Sequence, residues 1–142
     1  MRVNANELDE EYTDGGSLVL MFQGAPFTGV AYEISPQGTL WCEQSYVEGT
    51  LDGPSRSWYP NGQPEAETEY KWNRVHGRNR EWYENGTLKL DSLFELGNRI
   101  YSQEWDEQGQ IKKTYTIEQD PAGAAKLERT RAFFRQYGLL PS

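Results

Sequence analysis

The sequence predicts a mainly β protein: a meandering, antiparallel, single-layer sheet of repeated β-hairpins with one C-terminal α-helix. Three observations carry that reading. Glycines recur at a near-constant interval, with Gly38, Gly62, Gly86 and Gly109 spaced 24, 24 and 23 residues apart. The residues around them repeat by type and alternate as a strand does. The composition is polar yet aromatic: 36% of the 142 residues are hydrophobic, but 13% are aromatic, with five Trp and nine Tyr. Such a chain is too aromatic for disorder, and a mean hydropathy of -0.86 is too polar for a thick core. A thin sheet fits, because aromatic side chains cover much area per residue and strands accept them.

The repeat can be read column by column. Four residues before each glycine stand Ile34, Trp58, Trp82 and Trp105; two after it stand Leu40, Pro64, Leu88 and Ile111; eight after it stand Tyr46, Tyr70, Phe94 and Ile117. Eleven after the first three come Gly49, Asn73 and Gly97, and fifteen after the first two come Gly53 and Gly77. In "YPNG" (Tyr59–Gly62) Pro takes the second position of a type I turn, Asn the third, and Gly the left-handed position that closes a three-residue hairpin loop. This turn pairs the residue three before the glycine with the residue one after it. The next pairs out are Ile34–Leu40, Trp58–Pro64, Trp82–Leu88 and Trp105–Ile111, all apolar. One step further the expected pairs are Glu33–Trp41, Ser57–Glu65, Glu81–Lys89 and Glu104–Lys112. Unbroken alternation then predicts an inner face of Trp58, Pro64, Ala66 and Tyr70, followed by Trp82, Leu88, Leu90 and Phe94. The outer face would carry Tyr59, Glu65, Glu67 and Glu69, then Glu81, Tyr83, Lys89 and Asp91. The residues expected to hold the repeat together are Gly38, Trp58, Gly62, Tyr70, Trp82, Gly86, Phe94, Gly97, Trp105 and Gly109.

Segments Val47–Gly53, Lys71–Gly77 and Glu95–Tyr101 link one hairpin to the next. "LVLMFQGAPFTG" reads as the second half of an earlier copy. Residues 1–17 read as a loose acidic tail, with Glu7, Asp9, Glu10, Glu11 and Asp14 against one Arg. The repeat domain is expected over 18–119 and a capping helix within 120–142. Asp120 can cap that helix, Pro121 suits its first turn, and Gly138 can end it. Ala124, Leu127, Phe134 and Tyr137 fall near one face of a helix over 121–137. This helix is expected to cover the last hairpin and protect an open sheet edge.

Charge narrows the function. The net charge of -8 disfavours direct binding to nucleic acid or an anionic membrane and suits a basic protein partner. The positive balance is local: four basic residues against two acidic from Asp120 onward, ten against twenty before it. Cys42 is the single cysteine, so no internal disulfide forms, which fits a reducing compartment. The polar, acidic start carries no signal-like segment, and "LVLMF" is too short to span a bilayer. The expected location is cytoplasmic.

The residues offer no catalytic constellation. His76 is the one histidine and lies in a linking turn; Cys42 falls on the inner column with Leu40 and Tyr46, as a small hydrophobe would. One His and one Cys fall short of the usual metal sites. In "EAETE" the carboxylates alternate as on a solvated strand face. No catalytic, cofactor or metal residue is therefore expected, and no enzyme activity. Binding remains. Tyr59 and Tyr83 are stiff, amphipathic anchor types. Glu65, Glu67, Glu69 and Glu81 could face Lys and Arg of a partner and speed its association.

The stretch "GPSRSWYPNGQPEAETEYKWNRVHGRNREWYENGTLKLDSLFELG" is similar to the MORN repeat variant of bacterial YwqK-like antitoxins. Gly53, Trp58, Tyr59, Asn61, Gly62 and Tyr70 match the pattern in one copy. Gly77, Trp82, Tyr83, Asn85, Gly86, Leu88, Phe94 and Gly97 match it in the next. The resemblance extends over roughly residues 26–117 and departs at Ile34 and Pro64. It implies an antitoxin or immunity protein that binds a cognate bacterial toxin, such as a nuclease or nucleobase deaminase, and occludes its active site. The alternative it leaves open is a MORN-type scaffold or adaptor for proteins or lipids. An open sheet edge leaves room for pairing with a second copy.

Overall fold

The computed structural model describes residues 1–140. Among these, nine strands form one sheet in the order β1 (Arg2–Asn4), β5 (Gly29–Ile34), β6 (Leu40–Val47), β7 (Thr50–Trp58), β8 (Pro64–Lys71), β9 (Arg74–Trp82), β10 (Leu88–Glu95), β11 (Asn98–Trp105) and β12 (Ile111–Thr116). A smaller sheet holds β2 (Asp9–Tyr12), β3 (Leu18–Phe22) and β4 (Ala25–Pro26). Helix α1 spans Pro121–Gln136. From β5 to β12 every neighbour is antiparallel and adjacent in sequence, the meander that a hairpin repeat predicts.

The hairpin tips follow the turn chemistry of the sequence. Gly38, Gly62, Gly86 and Gly109 all have φ between 81° and 88°. In the second tip Gly62 N–H donates to the Tyr59 carbonyl and Tyr59 N–H to the Gln63 carbonyl, both at 2.9 Å. The four apolar pairs Ile34–Leu40, Trp58–Pro64, Trp82–Leu88 and Trp105–Ile111 form as expected.

One step beyond them the expected register fails. Glu33 pairs with Cys42, Ser57 with Ala66, Glu81 with Leu90 and Glu104 with Lys113, each after a β-bulge. Trp41, Glu65, Lys89 and Lys112 are the extra residues. An inserted residue reverses the alternation that follows. Pro64 and Ala66 therefore lie on opposite faces, as do Leu88 and Leu90, and Trp58 does not share a face with Tyr70. Cys42 shares a face with Tyr46 but not with Leu40. The single inner face expected from the sequence is split between two.

One face, here the tryptophan face, carries Trp58, Trp82 and Trp105 and a row of charges that alternates across the sheet. Glu43, Arg56, Glu67, Arg80 and Asp91 are successive cross-strand partners. Arg56 pairs with Glu67 at 3.8 Å and Arg80 with Asp91 at 3.4 Å, while Arg2 pairs with Glu43. The opposite face carries small and polar residues in register: Ala31, Gln44, Ser55, Thr68, Asn79, Ser92 and Ser102. Thr68 donates to Asn79 Oδ1 at 2.8 Å and Ser92 to the Asn79 carbonyl at 3.0 Å, so this row satisfies itself. Beside it Tyr46, Tyr70 and Phe94 pair with Gly29, Gly53 and Gly77.

At the other end of the strands the linking turns place two successive residues in the left-handed region: Gln23–Gly24, Glu48–Gly49, Trp72–Asn73 and Leu96–Gly97. That is the type I′ geometry, whose twist matches the flanking strands. Gly49, Asn73 and Gly97 donate in turn to the carbonyls of Phe27, Leu51 and Val75 at 2.7–2.9 Å, which locks each copy to the one before. The half copy read in "LVLMFQGAPFTG" takes part through Phe27.

The first residues are not a loose tail. Arg2–Asn4 adds to the sheet as a strand parallel to β5, and Val3 is buried with Phe27, Ala31 and Tyr46. Burial of Val3 and the bond from Val30 N–H to the Met1 carbonyl, at 2.8 Å, offset the ordering of a polar segment. A Cβ on Gly29 would collide with that Met1 carbonyl, so only glycine admits the strand. Asp9–Tyr12, also assigned to the tail, pairs with β3.

Helix α1 starts as predicted, with Pro121 in its first turn and Asp120 accepting from Gly123 N–H at 3.1 Å. Leu127 and Phe134 are buried, but Tyr137 is exposed. The helix does not run along the β12 edge. Phe134 stacks on Trp72 of a linking turn at 5.3 Å, Asn98 donates to Thr130 at 3.1 Å, and Arg131 donates to Glu95 at 2.6 Å. It packs against the linking-turn end, where Leu96 is fully buried. The last two residues of the expected 120–142 segment lie outside the described residues.

Candidate functional site

The hairpin-tip end of the tryptophan face combines exposed aromatic surface with unpaired carboxylates. Its local geometry comes from the repeat. In the second and third hairpins the residue that opens the tip turn points toward the next hairpin. Tyr59 donates its phenol hydrogen to the Trp82 carbonyl at 2.6 Å, and Tyr83 donates to the Trp105 carbonyl at 2.8 Å. Asn61 adds a bond to the Glu84 carbonyl at 3.2 Å. The two tyrosines proposed from the sequence as partner anchors thus staple one repeat to the next, and their hydroxyls are already engaged. Burial, and then the carboxylates of Glu65, Glu84 and Glu81, push the Tyr59 phenol above its ordinary value.

The candidate carboxylates separate into two sets. Glu65, Glu67 and Glu69 share the tryptophan face, as expected among themselves. Glu67 sits between Arg56 and Arg80 in the register and is ion-paired to Arg56. Glu69 accepts from the Arg78 N–H at 3.4 Å. Glu65 is the bulged residue, with no ion pair among the described residues. Glu81 pairs with Ala66 and Leu90 and lies on the opposite face, away from the other three. The structure therefore brings together Tyr59, Glu65 and Tyr83 at the tips and leaves Glu81 behind the sheet.

Between the first and second hairpins lies an open groove of about 240 Å³, lined by Ser35, Pro36, Trp41, Trp58, Pro60 and Glu65 among others. Trp41 is 50% exposed there. From the sequence Trp41 was expected only as the partner of Glu33, and the groove was not foreseen. The available signal was Ser35, which occupies the column held by Tyr59 and Tyr83.

The two residues weighed for chemistry have structural surroundings. His76 accepts the N–H of buried Leu96 on Nδ1 at 3.0 Å. The Cys42 thiol sits 3.5 Å from Glu33; burial, reinforced by that carboxylate, raises its pKa to about 11. It is a protonated thiol at neutral pH and a poor nucleophile there. No helix among the described residues is long and apolar enough to cross a membrane.

Of the comparisons with known proteins, one bears on the repeat. No curated protein matches the sequence. A chain in the crystal structure of accessory secretory protein 1, 2 and 3 in Streptococcus pneumoniae is similar at 15% identity and a TM-score of 0.33. The match covers 75% of the present chain and 19% of that one, and it bears on neither fold nor function. The family model of the MORN repeat variant matches twice, at residues 51–71 and 75–95, each running from the strand after one linking turn through a tip to the strand before the next. Two copies of this repeat pattern are therefore matched on the sheet between Leu51 and Glu95.

Proposed function

We propose that the protein is a non-catalytic inhibitor that docks a basic protein on its acidic, aromatic hairpin-tip end, as an antitoxin or immunity protein occludes a toxin. The observation that carries this reading is the pairing of exposed indole surface with carboxylates that lack ion-pair partners among the described residues. Glu65, Glu84, Asp106 and Glu107 all lie at or beside the tips, and none joins an ion pair among the described residues. Aromatic anchors beside these acidic groups suit the Lys- and Arg-rich cleft of a nuclease or nucleobase deaminase. The repeat supplies area and rigidity.

The test is co-expression with the product of the adjacent gene. Restored growth and a co-eluting complex that weakens as salt rises are expected. A non-toxic neighbour that forms no complex would sink the reading. A second reading, a scaffold or adaptor, is favoured by the row Glu43, Arg56, Glu67, Arg80 and Asp91, whose charges largely cancel within the sheet. Its lipid version is checked by sedimentation with anionic vesicles, where the net charge of -8 predicts no binding.

A further inference from the structure

The repeat contains its own record of what its tip grooves accept. In two successive grooves the occupant is a tyrosine of the preceding hairpin, hydrogen-bonded to the carbonyl of the next tryptophan: Tyr59 to Trp82 and Tyr83 to Trp105. The corresponding pair in the first groove is residue 35 and the Trp58 carbonyl. Residue 35 is a serine. Its hydroxyl is held by Thr39 Oγ1 at 2.8 Å within its own turn, so it neither fills the groove nor reaches across. Among the described residues no side chain donates to the Trp58 carbonyl. The space is walled by Trp41, Trp58, Pro36 and Pro60, with the unpaired carboxylate of Glu65 at its margin.

The same column decides the charge of the occupant's surroundings. The bulged residue beside Tyr83 is Lys89, whose ammonium lies 5.6 Å from the centre of that ring. In the first groove the bulged residue is Trp41, and the nearest charge is the acidic Glu65. Beside Tyr59 the bulged residue is Glu65 itself, so lysine attends only the Tyr83 groove; in the first groove a ligand that brings its own cation would face Glu65.

We infer that the groove between the first two hairpins is a receptor for a tyrosine side chain of a partner protein, next in its sequence to an Arg or Lys. The phenol donates to the Trp58 carbonyl, the ring packs between Trp41 and Trp58, and the cation meets Glu65. The inference rests on the protein-binding reading above and names the chemistry of the anchor that reading requires.

The test uses the full chain and three blocked dipeptide amides, Tyr-Arg, Phe-Arg and Ala-Arg, with the indole N–H signals of Trp41, Trp58 and Trp105 as readout. Tyr-Arg is expected to shift Trp41 and Trp58 saturably and leave Trp105 unmoved. Phe-Arg should bind roughly fivefold more weakly, the value of one neutral hydrogen bond. Glu65→Gln should weaken Tyr-Arg by a similar factor, roughly fivefold. Ser35→Tyr restores the column: the chain should fill its own groove, melt at a higher temperature and lose the Tyr-Arg response. No saturable shift, equal binding of Phe-Arg, or an undiminished response in folded Ser35→Tyr overturns the inference. A toxin complex that forms with wild type and is unmoved by Ser35→Tyr defeats the anchor and leaves the neutralisation reading standing. An intact dipeptide response without any toxin complex defeats only the latter.

Discussion

The two ends of each hairpin are closed by different turns and set different properties of the molecule. At the tip end a type I turn with left-handed glycine stands in water, and open space surrounds Gly38, Gly62 and Gly109. At the linking end two successive left-handed residues make a type I′ turn that is packed into neighbouring copies. A Cβ on Gly49 would strike Val19, and Leu96 is fully buried although its φ is 49°. The tip end sets register and leaves surface free for binding. The linking end holds what core there is, sealed by Val3 and Phe27 at one extreme and by Leu127 and Phe134 at the other. A sheet one layer thick can then keep its tip end open, because its stability is concentrated at the opposite end.

Substitution at each end should separate the two roles. Leu96→Ala empties a fully buried site in a linking turn and should cost about 3 kcal/mol by urea unfolding. A loss similar to that of an exposed leucine would show that the linking end is not the stabilising one. Tyr83→Phe removes one staple at the tips while keeping the ring. It should cost about 1 kcal/mol, with faster hydrogen exchange confined to the last two hairpins. The smallest effect concerns the helix cap. The hydroxyl of Tyr115, and then the Gly123 N–H, hold the Asp120 carboxyl below its ordinary value of 3.8. A group depressed in the folded state contributes stability that is complete above its unfolded pKa and is lost as pH falls through the folded one. Helix content should therefore decline only as pH drops below 3.8, and Asp120→Asn should flatten that limb of the acid titration.

Local chemistry in the sequence was sufficient for the tips. Gly62 after "YPN" implies one turn, and that turn implies Trp58 opposite Pro64. The cap at Asp120 and the buried pair Leu127 and Phe134 were legible for the same reason, since capping and helical period are properties of neighbouring residues. The bulge was not legible. Trp41, Glu65, Lys89 and Lys112 share a column but no chemistry common to all four, so nothing in their side chains announces an extra residue. With the bulge unseen, Trp58 and Tyr70 fell on one face instead of two, and Glu81 joined a ladder it does not belong to. Residues Arg2–Asn4 were missed because three polar-flanked residues have no period; their strand exists only because β5 offers an edge and Gly29 admits the Met1 carbonyl.

The candidate site divides in the same way. Tyr59 and Tyr83 were legible as repeated tyrosines, but their hydroxyls meet carbonyls in the next copy, which no local pattern reveals. The groove depends on Ser35 lying across from Trp58, residues that only strand pairing brings together. By itself the sequence determined the period, the tip turns, the four apolar pairs and the capped helix, because each depends on residues a few positions apart. The tertiary structure alone decided which side chains share a face, which end is buried and where a groove stays open. Those depend on register and on contacts between copies, and one bulged residue per hairpin is enough to reverse them.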